Sequence, residues 1–154
     1  MKPKSPSESR VEMTQLVLPE HTNALGTIFG GQIMAWIDTA ASICAFRHCR
    51  KHCVTASMDA LDFISPVKLG HIVILNANVN FAGKTSIEVG VKVTSEDPLT
   101  GMKHHTSSAY LTFVALDHEN GKPSEVPPVA PQTAQEKKWF EEAKCRREAR
   151  LKKR

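Results

Sequence analysis

From Gly31 to Phe46 the chain reads GQIMAWIDTAASICAF, apolar at most positions and carrying one charge, Asp38. Its length and its Ala, Met, Ile and Trp content favour a helix from Gln32 to about Cys49. Apolar residues fall on nearly every side of that helix, so other structure has to wrap it; it cannot simply lie on a surface. A carboxylate inside such a helix costs several kcal/mol unless it finds donors or takes up a proton. Any fold for this chain must therefore supply a wrapper for the helix and a reason for Asp38.

The wrapper is legible downstream, where the hydrophobic period changes to two. Leu75, Ala77, Val79 and Phe81 alternate with Asn76, Asn78 and Asn80. Ile87, Val89, Val91 and Val93 alternate with polar residues or glycine, and Ala109, Leu111, Phe113 and Ala115 repeat the pattern. Val54 to Ile64 is a further strand closed by Ser65-Pro66, and Val11 to Leu18 is a first strand ended by Pro19. Short connectors at Gly70, Gly83-Lys84-Thr85 and Asp97–Gly101 suit antiparallel hairpins. The order is strand, buried helix, four long strands and a charged C-terminal helix opened by the capping box Thr133-Ala134-Gln135-Glu136. This is an α+β architecture, one antiparallel sheet around one helix. A helix apolar on nearly all sides needs more cover than one sheet supplies, so the sheet is expected to continue into a second subunit.

A chain of 154 residues holds one domain. It divides into a polar lead-in expected to be disordered (1–10), the α+β body (11–131) and a basic helix or tail (132–154). No apolar run reaches the roughly 20 residues that cross a bilayer, and the N-terminus lacks the apolar core of a secretory signal. Cys44, Cys49, Cys53 and Cys145 do not form a disulfide framework, which suits a reducing, cytoplasmic compartment. The net charge of +4 sits in the tail, where residues 132–154 hold nine Lys and Arg against four Glu. An anionic partner is therefore to be sought there.

Two features give Asp38 a chemical reading. Gly30-Gly31 before the helix lets backbone N–H groups approach a ligand, at the helix end that favours an oxyanion. Asn23, in the preceding loop, can donate to a carbonyl or orient a water, although Asn is also a common turn residue. Donor loop, helix start and buried carboxylate together describe an acyl-transfer site, with oxyanion donors and a base that activates water. The alternative is structural, with Asp38 bonding a neighbouring loop.

The stretch HTNALGTIFGGQIMAWIDTAAS resembles the signature of the hotdog-fold acyl-CoA thioesterases, and DALDFISPVKLGHIV, the Gly83–Val89 stretch, TSEDPLTGMK and Val126-Pro127-Pro128 agree with it. The resemblance covers roughly residues 10–150. It implies a hotdog fold, an antiparallel sheet wrapped around a long central helix, in dimers that often assemble as trimers of dimers. It further implies hydrolysis of fatty acyl-CoA to free fatty acid and coenzyme A, with no cofactor, and with Asn23 and Asp38 acting together across a subunit interface. By resemblance Asp38 is general base or nucleophile, Asn23 positions the carbonyl or the water, and the N–H of Gly31 or a neighbour such as Gly30 holds the oxyanion. Lys84, Thr85 and Ser86 are candidates for contact with coenzyme A phosphates or pantetheine, with Lys68 as a weaker one. For the tail, Arg146 or Arg147 is the candidate for the coenzyme A phosphates.

Each motif also admits a plainer reading. The tail also fits a solvated amphipathic helix; nucleic-acid binding lacks an accompanying reading motif. His48, Cys49, His52 and Cys53 invite zinc, but no second element supplies ligands at recognisable spacing, so no metal is expected. Asp59 and Asp62, three apart on a strand, are expected on opposite faces. No G-x-S-x-G elbow is present. A hydratase of the same fold needs a catalytic His, and the helix has none before His48. A non-catalytic acyl-CoA-binding module remains the competing function.

Overall fold

The computed structural model describes residues 1–153, position 60 by its backbone only. The elements are β1 (Val11–Leu16), α1 (Gly30–Cys49), β2 (His52–Phe63), β3 (Ile72–Ala82), β4 (Ser86–Glu96), β5 (Lys103–Leu116) and α2 (Ala134–Lys152). The five strands form one antiparallel sheet in the order β1-β3-β4-β5-β2. It curls around α1 in the hotdog arrangement. No helix among the described residues is long and apolar enough to cross a membrane.

The period-2 residues do what their spacing demands. Val73, Leu75, Ala77 and Val79 of β3, Ile87, Val89, Val91 and Val93 of β4, and Ala109, Leu111, Phe113 and Ala115 of β5 are all buried. They meet Ile33, Ile37, Ala40, Ala41, Cys44 and Ala45 on α1. Small residues on α1 let the sheet close on it at near-contact distance. One stripe of the helix stays open: Met34, Ala35, Thr39 and Phe46 are exposed. Beside it lies β2, which pairs only with β5 and whose Val54, Thr55 and Ala56 are also exposed. The chain thus leaves uncovered the part of its helix that a single sheet was not expected to reach.

Two irregularities depart from simple alternation. A register shift between Val79 and Phe81 turns Phe81 away from the core, where its ring packs on Phe140 of α2 at 5.2 Å. A second shift lies between Asp59 and Asp62, which pair with Tyr110 and Ser108. Those partners are two apart on β5, so both aspartates share the outward face, contrary to the expectation from an offset of three. They do not form a carboxylate pair for catalysis, because Asp59 is taken by Arg150 of α2 at 2.7 Å.

α2 lies across that outward face. Thr133 Oγ1 accepts from Glu136 N at 3.1 Å and Glu136 Oε1 accepts from Thr133 N at 3.2 Å, the capping box read from sequence. The helix is anchored on Glu88, which is 3% exposed and accepts from Arg146 at 2.7 and 3.1 Å and from Asn80 at 3.1 Å. The Arg146 guanidinium also stacks 3.6 Å over the Tyr110 ring. Residues 1–10, expected to be a disordered lead-in, are held against the body in the structure. Lys4 exchanges backbone bonds with Pro128 and Ala130 at 3.0 and 2.8 Å, and Pro6 and Ser9 are buried. The backbone partners of Lys4 come from the 128–130 passage, over 100 residues away in sequence, while the turn at Pro6–Glu8 rests on β3 and α1.

Candidate active site

The carboxylate of Asp38 is half-buried and sits on α1 where the helix passes the free edge of the sheet. Its Oδ1 accepts a hydrogen bond from Thr55 Oγ1 of β2 at 2.7 Å. Its Oδ2 has no partner among the described residues. A hydroxyl donor at this distance fixes the carboxylate's rotamer. Nothing in the local sequence marks Thr55. In VTAS it looks like any β-branched strand residue, and only the docking of β2 on α1 makes it a partner of Asp38.

The start of α1 is built differently from expectation. Gly30 and Gly31 are the first two residues of the helix itself, with Phe29 as N-cap. Phe29 O accepts from Gln32 N at 2.9 Å, while the N–H groups of Gly30 and Gly31 have no acceptor among the described residues. These are the free amides that every helix start leaves, at the helix end whose dipole favours negative charge. A Cβ on Gly31 would stand 2.6 Å from the exposed Phe29 ring, which would have to shift, and one on Gly30 would make ordinary contact with Phe63 at 3.5 Å. Ile28, Ile33, Phe63, Ile64 and Pro66 line an apolar cleft of about 350 Å³ at this helix end.

Asn23 shapes the loop before the helix. Its Oδ1 accepts from Leu25 N at 2.9 Å and Thr27 N at 3.3 Å, and its Nδ2 donates to Thr27 Oγ1 at 3.0 Å. The side chain is exposed, and the second Nδ2 proton is free for a ligand. Lys68 belongs to the same corner, since its backbone bridges Thr27 and Leu69 N donates to Gly26 O at 3.0 Å. Asp38 does not. Eight residues along α1 it lies about 12 Å beyond Gly30, and no hydrogen bond joins it to Asn23. Within one chain the structure brings Asn23, Gly30, Gly31 and Lys68 together and leaves Asp38 with Thr55.

The remaining candidates collect at the far end of β3, which spans 11 residues and so roughly 36 Å. There Lys84, Thr85 and Ser86 form the β3–β4 turn, with Lys84 exposed. Arg147 of α2 reaches this turn, its Nη2 3.3 Å from where a Gly83 Cβ would stand. Arg146 points elsewhere, into the Glu88 anchor. Among the described tail arginines, Arg147 is therefore the one gathered with Lys84–Ser86, and Arg146 is committed to holding α2. The sequence pair His48 and Cys49 is likewise used internally: His48 is buried with Nε2 2.7 Å from Pro127 O. Among the described residues no three His, Cys, Asp or Glu side chains converge as a metal site.

The thioesterase superfamily model matches residues 25–102, about half of the chain. An acyl-CoA thioester hydrolase of Bacillus subtilis (strain 168), described as uncharacterized, is 48% identical over 129 residues, covering 84% of this chain and 74% of that protein. Among solved structures, an apo hexameric acyl-CoA thioesterase superposes with a TM-score of 0.95 at 44% identity, covering 99% of this chain and 97% of that one. An acyl-CoA hydrolase from Staphylococcus aureus, solved with butyryl coenzyme A, coenzyme A and coenzyme A disulfide, superposes with a TM-score of 0.91 at 42% identity, covering 97% and 91%. Alanine variants of an asparagine, an aspartate and a threonine of that enzyme have also been solved, the three residues standing fifteen and then seventeen positions apart. Asn23, Asp38 and Thr55 have the same spacing here.

Proposed function

The chain belongs to the thioesterase superfamily, and we propose that it hydrolyses fatty acyl-CoA to a free fatty acid and coenzyme A at sites shared between two subunits. The observation that carries the reading is Asp38, the only charge in the first sixteen residues after Gly30, held by Thr55 on the sheet's open edge. Asp38 Oδ2 takes a proton from water as the water oxygen bonds to the thioester carbonyl carbon. The free amide of Gly31, or of its neighbour Gly30, receives the developing oxyanion. Collapse then expels the coenzyme A thiolate, which takes up a proton, and leaves the carboxylate product.

Helix geometry supports the need for a second chain. Gly31 and Asp38 of one helix are too far apart to face one carbonyl, so Asp38 works with the Asn23 loop and helix start of a second copy. The exposed stripe Met34, Ala35, Thr39 and Phe46, next to the unpaired edge of β2, is the surface such a copy would cover. Trimers of these dimers are the arrangement we favour, since relatives of this chain include a hexamer. The apolar cleft at Ile28, Ile33 and Phe63 suits an acyl chain, and the Lys84–Ser86 turn with Arg147 suits the coenzyme A phosphates.

The test is thiol release from acyl-CoA substrates of graded chain length, followed with a thiol-reactive dye. Asp38→Asn is expected to lower kcat by about a hundredfold or more, and Asn23→Ala to lower it while leaving the melting temperature unchanged. Binding of coenzyme A without turnover at any chain length would establish the binding module instead. Full activity in Asp38→Asn would remove Asp38 as the base.

A further inference from the structure

Two thiols face each other where α1 ends and β2 begins. Cys49 is the last residue of α1, and Cys53 is the second of β2. Arg50 takes a left-handed conformation with φ 53°, turning the chain so that Cys53 returns against the helix end. The two Sγ atoms stand 3.1 Å apart, and each lies 3.7 Å from Lys51 O. Cys49 is 5% exposed and Cys53 half-buried, so only a small reagent reaches both. Either sulfur can donate in this hydrogen bond; with Cys53 donating, the Cys49 thiol is lowered against the opposing effect of burial while Cys53 is raised. Cys44, on the same helix but without such a neighbour, is pushed up to about 12 by burial. Whichever sulfur gives up its proton, the other stands 3.1 Å away, close enough to resolve its oxidation.

We propose that Cys49 and Cys53 are a redox-active dithiol that closes to an intrachain disulfide on meeting a peroxide. The Cys49 thiolate attacks one peroxide oxygen, the O–O bond breaks, and Cys49 becomes a sulfenic acid. The departing hydroxide takes up the proton that Cys49 had given to solvent. Cys53 then attacks the Cys49 sulfur, the S–O bond breaks, and the released hydroxide leaves with the Cys53 proton as water. Two thiols and one peroxide become one disulfide and two waters, two electrons passing from sulfur to oxygen. Closure brings the sulfurs from 3.1 Å to about 2.05 Å, a movement of about 1 Å at a turn. The bridge would join the two elements that hold the Asp38–Thr55 pair, Thr55 lying two residues beyond Cys53. It forms or fails to form whatever Asp38 does, so its test is independent of the proposed hydrolase reading.

The full chain is treated with hydrogen peroxide, its remaining thiols are capped with a maleimide under denaturing conditions, and the protein is digested with trypsin. Cleavage after Arg47, Arg50, Lys51 and Lys68 leaves Cys49 in peptide 48–50 and Cys53 in peptide 52–68. The expected result is these two peptides held together about 2 Da below their summed mass, with loss of two of the four maleimide labels and recovery of both in dithiothreitol. The Cys145→Ser variant gives the same linked pair. Retention of all four labels, oxidation of Cys49 or Cys53 only to a sulfinic acid, or linkage of either to Cys145 overturns the proposal. Because the decisive reading is made on the unsubstituted chain, it does not depend on a variant folding.

Discussion

Thr55→Val removes one hydroxyl and keeps the branched shape, so it isolates the 2.7 Å bond to Asp38. Hydrogen bonds to a charged partner contribute about 1.5–3 kcal/mol. Here Asp38 is half-buried and Thr55 exposed, so water replaces part of what is lost. About 1–2 kcal/mol is the reasonable range at such a site. If that energy is felt where Asp38 accepts the proton of the attacking water, kcat falls about fivefold to thirtyfold. Thr55→Ser, which keeps the donor, should recover most of the rate. The assay is dye-coupled thiol release with kcat and KM fitted separately, alongside thermal melting. A kcat within about twofold of the parent, or a loss carried wholly by KM or by a lower melting temperature, would refute the reasoning, because Thr55 would then orient no reacting group.

Three further outcomes follow from the same contacts. Glu88→Ala strips the anchor from Arg146 and Arg150, both partly exposed, and should lower the unfolding free energy by about 2 kcal/mol in urea melts. Arg147→Ala should raise KM for acyl-CoA about fivefold with kcat unchanged, whereas Arg146→Ala should lower the melting temperature first, since Arg146 is spent on Glu88. Burial holds His48 below its ordinary pKa, opposed by the bond to Pro127 O. The unfolded chain therefore protonates this residue first, and its stabilisation is complete above pH about 6.5 and drains away as pH falls through the lower folded value. Melting temperature should drop more steeply on acidification in the parent than in His48→Gln, and equal slopes would exclude His48 as the source.

What the sequence alone determined is whatever a local period can encode. Alternation at Val73–Val79, Ile87–Val93 and Ala109–Ala115 specified strands and their inward faces, since side-chain direction repeats every two residues. The apolar run Gln32–Cys49 specified a helix needing cover, and the lone Asp38 beside Asn23 and Gly30-Gly31 pointed to a site. Thr133 and Glu136 marked the start of α2 because a cap is a contact between near neighbours. Tertiary structure decided the rest through pairings between distant segments. β2 lies at the edge because it pairs with β5, 50 or so residues on, and that placement alone makes Thr55 the partner of Asp38. Bulges, invisible to a two-residue period, turned Phe81 outward and put Asp59 and Asp62 on one face. Arg146 and Arg147 are adjacent in the chain, yet one enters the Glu88 anchor and the other reaches the β3–β4 turn, a division that depends on where α2 rests on the sheet. The close approach of Cys49 and Cys53 belongs to the same class: their spacing permits it, and only the left-handed turn at Arg50 brings it about.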